Sequence, residues 1–131
     1  MDVFKQFATD DAKENSGVWC DIGDGARLLV ARAGNRAYAR MLARDVEKNQ
    51  RALEAKTDAA AELNTQIMVD VMARTVLLNW EGIQFKGQAL PYSVDNAKML
   101  LGVKDFRQLV NNLAGDFEAY RAAQETEQVK S

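Results

Sequence analysis

Apolar side chains recur at three- and four-residue spacing over most of the chain after residue 34, and this period predicts a mainly helical protein. Asn35 is placed to cap a first helix running to about Ala55, in which Tyr38, Met41, Leu42, Val46 and Leu53 form a broken apolar face. A second helix begins at Asp58 and runs to about Leu78. There Leu63, Ile67, Met68, Val71, Met72 and Val76 leave only Gln66, Asp70 and Arg74 as a narrow polar strip, so this helix is expected to be the central one. A short helix with Val94, Ala97, Leu100 and Leu101 is stopped by Gly102. The last, from about Lys104 to Gln124, carries Phe106, Leu109, Val110, Leu113, Phe117 and Tyr120 on one face, with Gly115 marking a bend or a close contact.

Before residue 34 the period changes. Residues 17–33 read as two short strands around Gly23-Asp24-Gly25, a β-hairpin with Val18, Cys20 and Ile22 on one face and Trp19 on the other. A lone hairpin is marginal in water and has to pack on the helices. Residues 1–16 read as an arm whose Val3, Phe4 and Phe7 dock on the body, and 125–131 as a frayed tail. Between the second and third helices, residues 79–92 form a loop broken by Gly82, Gly87 and Pro91, which puts Trp80, Phe85 and Tyr92 in one segment. Three aromatics are costly in water, so this loop is expected to fold back onto helices. The expected fold is a single domain over 1–131, mostly α (α+β): about four helices in a body from 35 to 124, with the hairpin packed on it.

Composition sharpens this outline. The chain has 131 residues, 47% hydrophobic and 27% charged, enough for one core, and its single proline suits helices. Cys20 is the only cysteine, which excludes an intramolecular disulfide and points to a reducing compartment. No segment is apolar for long enough to act as a signal peptide or a membrane span, so a cytoplasmic protein without a membrane partner is expected. There is no histidine, which removes Ser-His-Asp and Cys-His nucleophile systems, histidine zinc ligands and the usual general base near neutral pH. Gly23-Asp24-Gly25 lacks the spacing of a phosphate cradle. A calcium loop starting at Asp21 would need a glutamate where Arg32 stands. Neither an enzyme nor a cofactor- or metal-binding protein is expected.

The net charge of −2 is unevenly spread. From Arg27 to Lys56 there are eight Lys or Arg against three acids, and Arg36, Arg40, Arg44 and Lys48 recur every fourth residue on the first helix. Residues 105–127 carry five acids against two arginines. A head-to-tail contact between the basic first helix of one copy and the acidic last helix of the next would be electrostatically complementary. The candidate interaction residues are therefore Arg36, Arg40, Arg44 and Lys48, with Phe85 and Tyr92 of the aromatic loop. Interleaved Asp45 and Glu47, and the lack of a reader motif, argue against nucleic acid as the partner of the basic helix.

Gly17-Val18-Trp19, Leu28 through Asn35, Trp80-Glu81-Gly82-Ile83, Pro91-Tyr92-Ser93, Asn96-Ala97, Leu100-Leu101 and Asp105-Phe106 resemble the tail assembly chaperones of long-tailed (siphovirus) bacteriophages. The resemblance covers about Phe4 to Tyr120 and rests on packing words rather than catalytic signatures. It implies a non-enzymatic morphogenesis factor in the cytoplasm of the infected bacterial host, absent from the mature virion. Such a factor binds the aggregation-prone tape measure protein and keeps it soluble until the tail tube polymerises around it. It also implies a short, non-frameshifted form, with the tail tube protein recruited through a longer frameshifted form, and self-association into an open spiral. Three other classes compete: a nucleic-acid-associated regulator using helix 36–51, whose binding would weaken steeply with salt, a small enzyme working with carboxylates, which would need an acidic cleft, and a virion structural protein such as a head-tail connector, which would persist in particles.

Overall fold

The computed structural model describes residues 16–130, with side chains described through Gln124. The expected N-terminal arm lies outside this range except for Ser16. The fold is mixed α+β: β1 (Val18–Gly23), β2 (Ala26–Val30), α1 (Arg36–Lys48), α2 (Gln50–Glu54), α3 (Asp58–Thr75), β3 (Leu77–Glu81), β4 (Gln84–Phe85), β5 (Gln88–Ala89), α4 (Val94–Leu101), α5 (Lys104–Gly115) and α6 (Phe117–Lys130).

The expected hairpin is present, and it is two thirds of a larger sheet. β1, β2 and β3 form an antiparallel sheet in that order, with Leu28 facing Trp19's neighbour Cys20 on one side and Trp80 on the other. Period-two alternation puts Val18, Cys20, Leu28 and Val30 on the buried face, and a register shift in the β2–β3 pairing at Leu78 brings both Leu77 and Trp80 to it. That face meets Met72, Ala73 and Val76 of α3, Ala97 and Leu101 of α4, Val110, Leu113 and Ala114 of α5, and Phe117 of α6, all in one cluster. Burying a side chain such as Leu28, Leu77 or Phe117 contributes on the order of 2–3 kcal/mol, so this face dominates the stability.

Three expected boundaries are corrected. The second helix ends at Thr75, not near Leu78, because the chain turns at Val76 and Leu77–Glu81 pair with β2. The apolar run Val76-Leu77-Leu78 suits a helix or a buried strand equally, and pairing with β2 decides. The first helix breaks at Asn49, where the chain restarts as α2, and the last breaks at Asp116, one residue after Gly115. About four helices thus become six among the described residues, and the tail expected to fray is helical through Lys130. α3 does carry more buried residues than any other described helix, although Val69, Ala73 and Thr75 join the buried set beyond the expected face.

One glycine is required by the tertiary structure. Gly82, at φ +76°, lies where β3 passes the β1–β2 turn, and a Cβ there would run into the Gly25 carbonyl oxygen.

Candidate functional site

The first candidate surface is built on α1. Asn35 starts it: the side-chain oxygen accepts from the Tyr38 N–H at 2.9 Å, while Nδ2 donates to the Arg32 and Thr75 carbonyls, both at 2.9 Å. The residue is buried, and it ties the start of α1 to the end of α3. From there α1 packs chiefly on α3, helped by α2, and none of its own thirteen residues is fully buried. Tyr38 reaches the main core and donates to Met68 Sδ at 3.6 Å. Met41, Leu42, Leu53 and Leu63 stay half-buried, and Val46 is 37% exposed.

Arg36, Arg40, Arg44 and Lys48 are all exposed on α1, as the four-residue spacing requires. The sequence count gave the excess charge. It did not show that Arg44 Nε lies 3.6 Å from the neighbouring Asp45 carboxylate.

The second candidate surface is the former aromatic loop, whose three aromatics have separate fates. Trp80 and Tyr92 pack edge to face with ring centroids 5.0 Å apart. Trp80 Nε1 donates to the Leu90 carbonyl at 2.7 Å. The Tyr92 hydroxyl lies 2.6 Å from the Leu77 carbonyl and 3.1 Å from that of Ala73, so it fastens the loop across the α3–β3 turn. Burial pushes the Tyr92 phenol above its ordinary pKa. Its polar atom is committed to the backbone at a structural joint.

Phe85 goes the other way. β4 and β5 form a two-stranded finger joined by Lys86 and Gly87, both with positive φ (53° and 79°), the backbone of a type I′ turn. All residues from Gln84 to Ala89 are exposed; Phe85 is 40% exposed, with the Lys86 ammonium 5.4 Å from its ring centroid. The root of the finger is held by the Leu90 N–H to Ile83 carbonyl bond at 2.9 Å and by Gly82 against the β1–β2 turn. A rigid base therefore presents a solvated aromatic and a cation. The signal for this in the sequence was Phe-Lys-Gly between two short polar segments, which also suits an ordinary loop.

The remaining chemistry is structural. Cys20 is fully buried and desolvation raises its thiol to about 11, so it stays a protonated thiol near neutral pH. Burial opposes ionisation of Asp70, but hydrogen bonds from Arg74 (3.0 Å) and Lys98 (3.3 Å) outweigh it and lower its pKa. Arg27 stacks 4.3 Å from the Trp19 ring centroid and donates to Glu81 at 2.7 Å on the outer face of the sheet. Among the described residues, no group of three or more Cys, Asp or Glu is placed to hold a metal ion, and no helix is long and apolar enough to cross a membrane.

Fold and surfaces together define a small α+β protein with a three-stranded sheet on a helical core, a basic helical hairpin and an aromatic-tipped finger. Residues 33–131 match the family model of the YdaY prophage protein, and the chain belongs to that family of phage-derived proteins. The match takes in every described helix and β3 but not β1 or β2. No curated protein and no solved structure matches the chain.

Proposed function

We propose that this phage-derived protein is a non-enzymatic tail assembly chaperone that binds and solubilises the tape measure protein in the host cytoplasm and leaves before the virion is complete. The observation that carries the reading is the β4–β5 finger. An aromatic side chain held 40% exposed on a turn fixed by two positive-φ residues is a ready-made binding knob. A long helical client offers an apolar stripe on each of its turns, which suits one Phe-sized knob per bound copy. Lys86 beside it favours an acidic residue flanking that stripe. Many copies along one client, with the tail tube protein arriving through a longer frameshifted form, complete the proposal. The packing words shared with tail assembly chaperones support it, as does membership in a prophage family.

Phe85→Ala provides the test. The side chain lies outside the core, so stability is expected to change by no more than about 0.5 kcal/mol, as is typical of surface changes, read as a nearly unchanged melting temperature. Retention of the co-expressed tape measure protein on a tagged chain is expected to fall at least tenfold, about 1.4 kcal/mol. Undiminished retention would remove the finger from the binding surface.

A further inference from the structure

The β4–β5 finger is too short to order itself. Its ladder is Gln84 opposite Ala89 and Phe85 opposite Gln88, and even a longer hairpin on its own is marginal in water. Order has to come from the root. The outgoing strand follows directly from β3 and is braced by Gly82 against the Gly25 carbonyl. The return strand is anchored through Leu90. Its N–H donates to the Ile83 carbonyl at 2.9 Å, which closes one further rung, and its own carbonyl accepts from Trp80 Nε1 at 2.7 Å.

Both backbone polar groups of Leu90 are thus engaged, one by the outgoing strand and one by an indole that is only 5% exposed. The indole is itself fixed, edge to face against Tyr92, whose hydroxyl serves the Leu77 and Ala73 carbonyls. Strand alternation puts Phe85 and Gln88 on the same face of the hairpin as Ile83 and Leu90, with Gln84 and Ala89 on the other. Ile83 and Leu90 pack against the core. Phe85 therefore stands one rung further out on the packed face, and its position follows from how the root is held.

We infer that the Trp80 indole N–H is the positioning group of the finger: by holding the Leu90 carbonyl it keeps the return strand on the body and Phe85 in the orientation that meets the client. The inference rests on the client reading above and adds a cause for its affinity, because a knob that is ordered beforehand loses little conformational entropy on binding. Trp80 is buried and takes no part in the contact itself. It acts through Leu90 alone.

Trp80→Phe in the full chain keeps an aromatic ring beside Tyr92 and removes the N–H. In hydrogen exchange the Leu90 amide is expected to lose protection about tenfold, while that of Ala31, bonded to Val76 at the far end of β2, changes less. Retention of the co-expressed tape measure protein is expected to fall about tenfold. A disulfide between Gln84→Cys and Ala89→Cys, a directly opposed pair on the face away from Phe85, ties the return strand to the braced one and is expected to restore retention until reductant is added. Equal loss of protection at both amides, or no rescue by the disulfide, would mean that Trp80 serves stability only and would overturn the inference. Phe85→Ala separates the two levels. If that variant retains the client undiminished, the client reading fails and takes this inference with it; if it loses the client while Trp80→Phe keeps it, this inference alone fails. Should Trp80→Phe not fold, the disulfide in the otherwise natural chain decides. With Trp80 already holding the finger, retention is expected to be the same oxidised and reduced, and a gain of about tenfold on oxidation would overturn the inference.

Discussion

Tyr92 shows how much one polar atom can hold. Its hydroxyl serves two backbone carbonyls, those of Ala73 and Leu77, that lie on either side of the switch from α3 to β3. Replacing Tyr92 with Phe keeps the ring against Trp80 but leaves both carbonyls without that donor. A loss of about 1–2 kcal/mol is expected, read as a lower denaturation midpoint with unchanged slope. Tyr92 and Phe85 looked alike in sequence, as aromatics of one loop. Sequence could not separate them, because what distinguishes them is the distance from a hydroxyl to carbonyls fifteen and nineteen residues earlier.

At the scale of elements, Asn35 is the joint on which α1 depends. It caps α1, and its amide bonds a carbonyl at the end of α3, forty residues away. Asn35→Ala loses the cap and orphans the buried Thr75 carbonyl, and a cost of about 2–3 kcal/mol is expected from the two effects together. Hydrogen exchange should show where it falls: the amides of α1 lose protection first, while those of β2 and α5 keep theirs. The capping half of this role was legible in the sequence, since Asn precedes an apolar period. The bond to Thr75 was not. Strand β3 was missed for a related reason: Thr75 through Leu78 is a continuous apolar and β-branched run without a breaker, and pairing with β2 overrides local preference. The breaks at Asn49 and Asp116 had weaker signals, of which Gly115 was one.

For the whole molecule, the charged groups set a pH range. Asp70 has a lowered folded pKa, so its contribution is present above the ordinary carboxylate value of 3.8 and is lost as pH falls through the folded value. Tyr38 and Tyr92 have raised pKa values through burial. The unfolded chain then releases these protons first, and stability falls as pH rises from the ordinary phenol value of 10. The buried Cys20 thiol, raised from 9.0 to about 11, acts in the same sense, so denaturation midpoints measured across pH should decline below about pH 4 and again above about pH 9, and Asp70→Asn should reduce the acid limb alone.

On the proposed chaperone reading, the finger is the surface that meets the client. The packing words that resemble tail assembly chaperones fall largely in the core, on Leu28, Val30, Trp80, Ala97 and Leu101. They report the fold, and the functional surfaces had to be read from what the fold leaves exposed. The most direct measurement is co-expression of the full chain with the tape measure protein of the same prophage, followed by size-exclusion chromatography with light scattering. The account predicts a soluble complex whose mass requires many copies of this chain per tape measure molecule. A tape measure protein that stays insoluble while this chain elutes without it would contradict the chaperone reading.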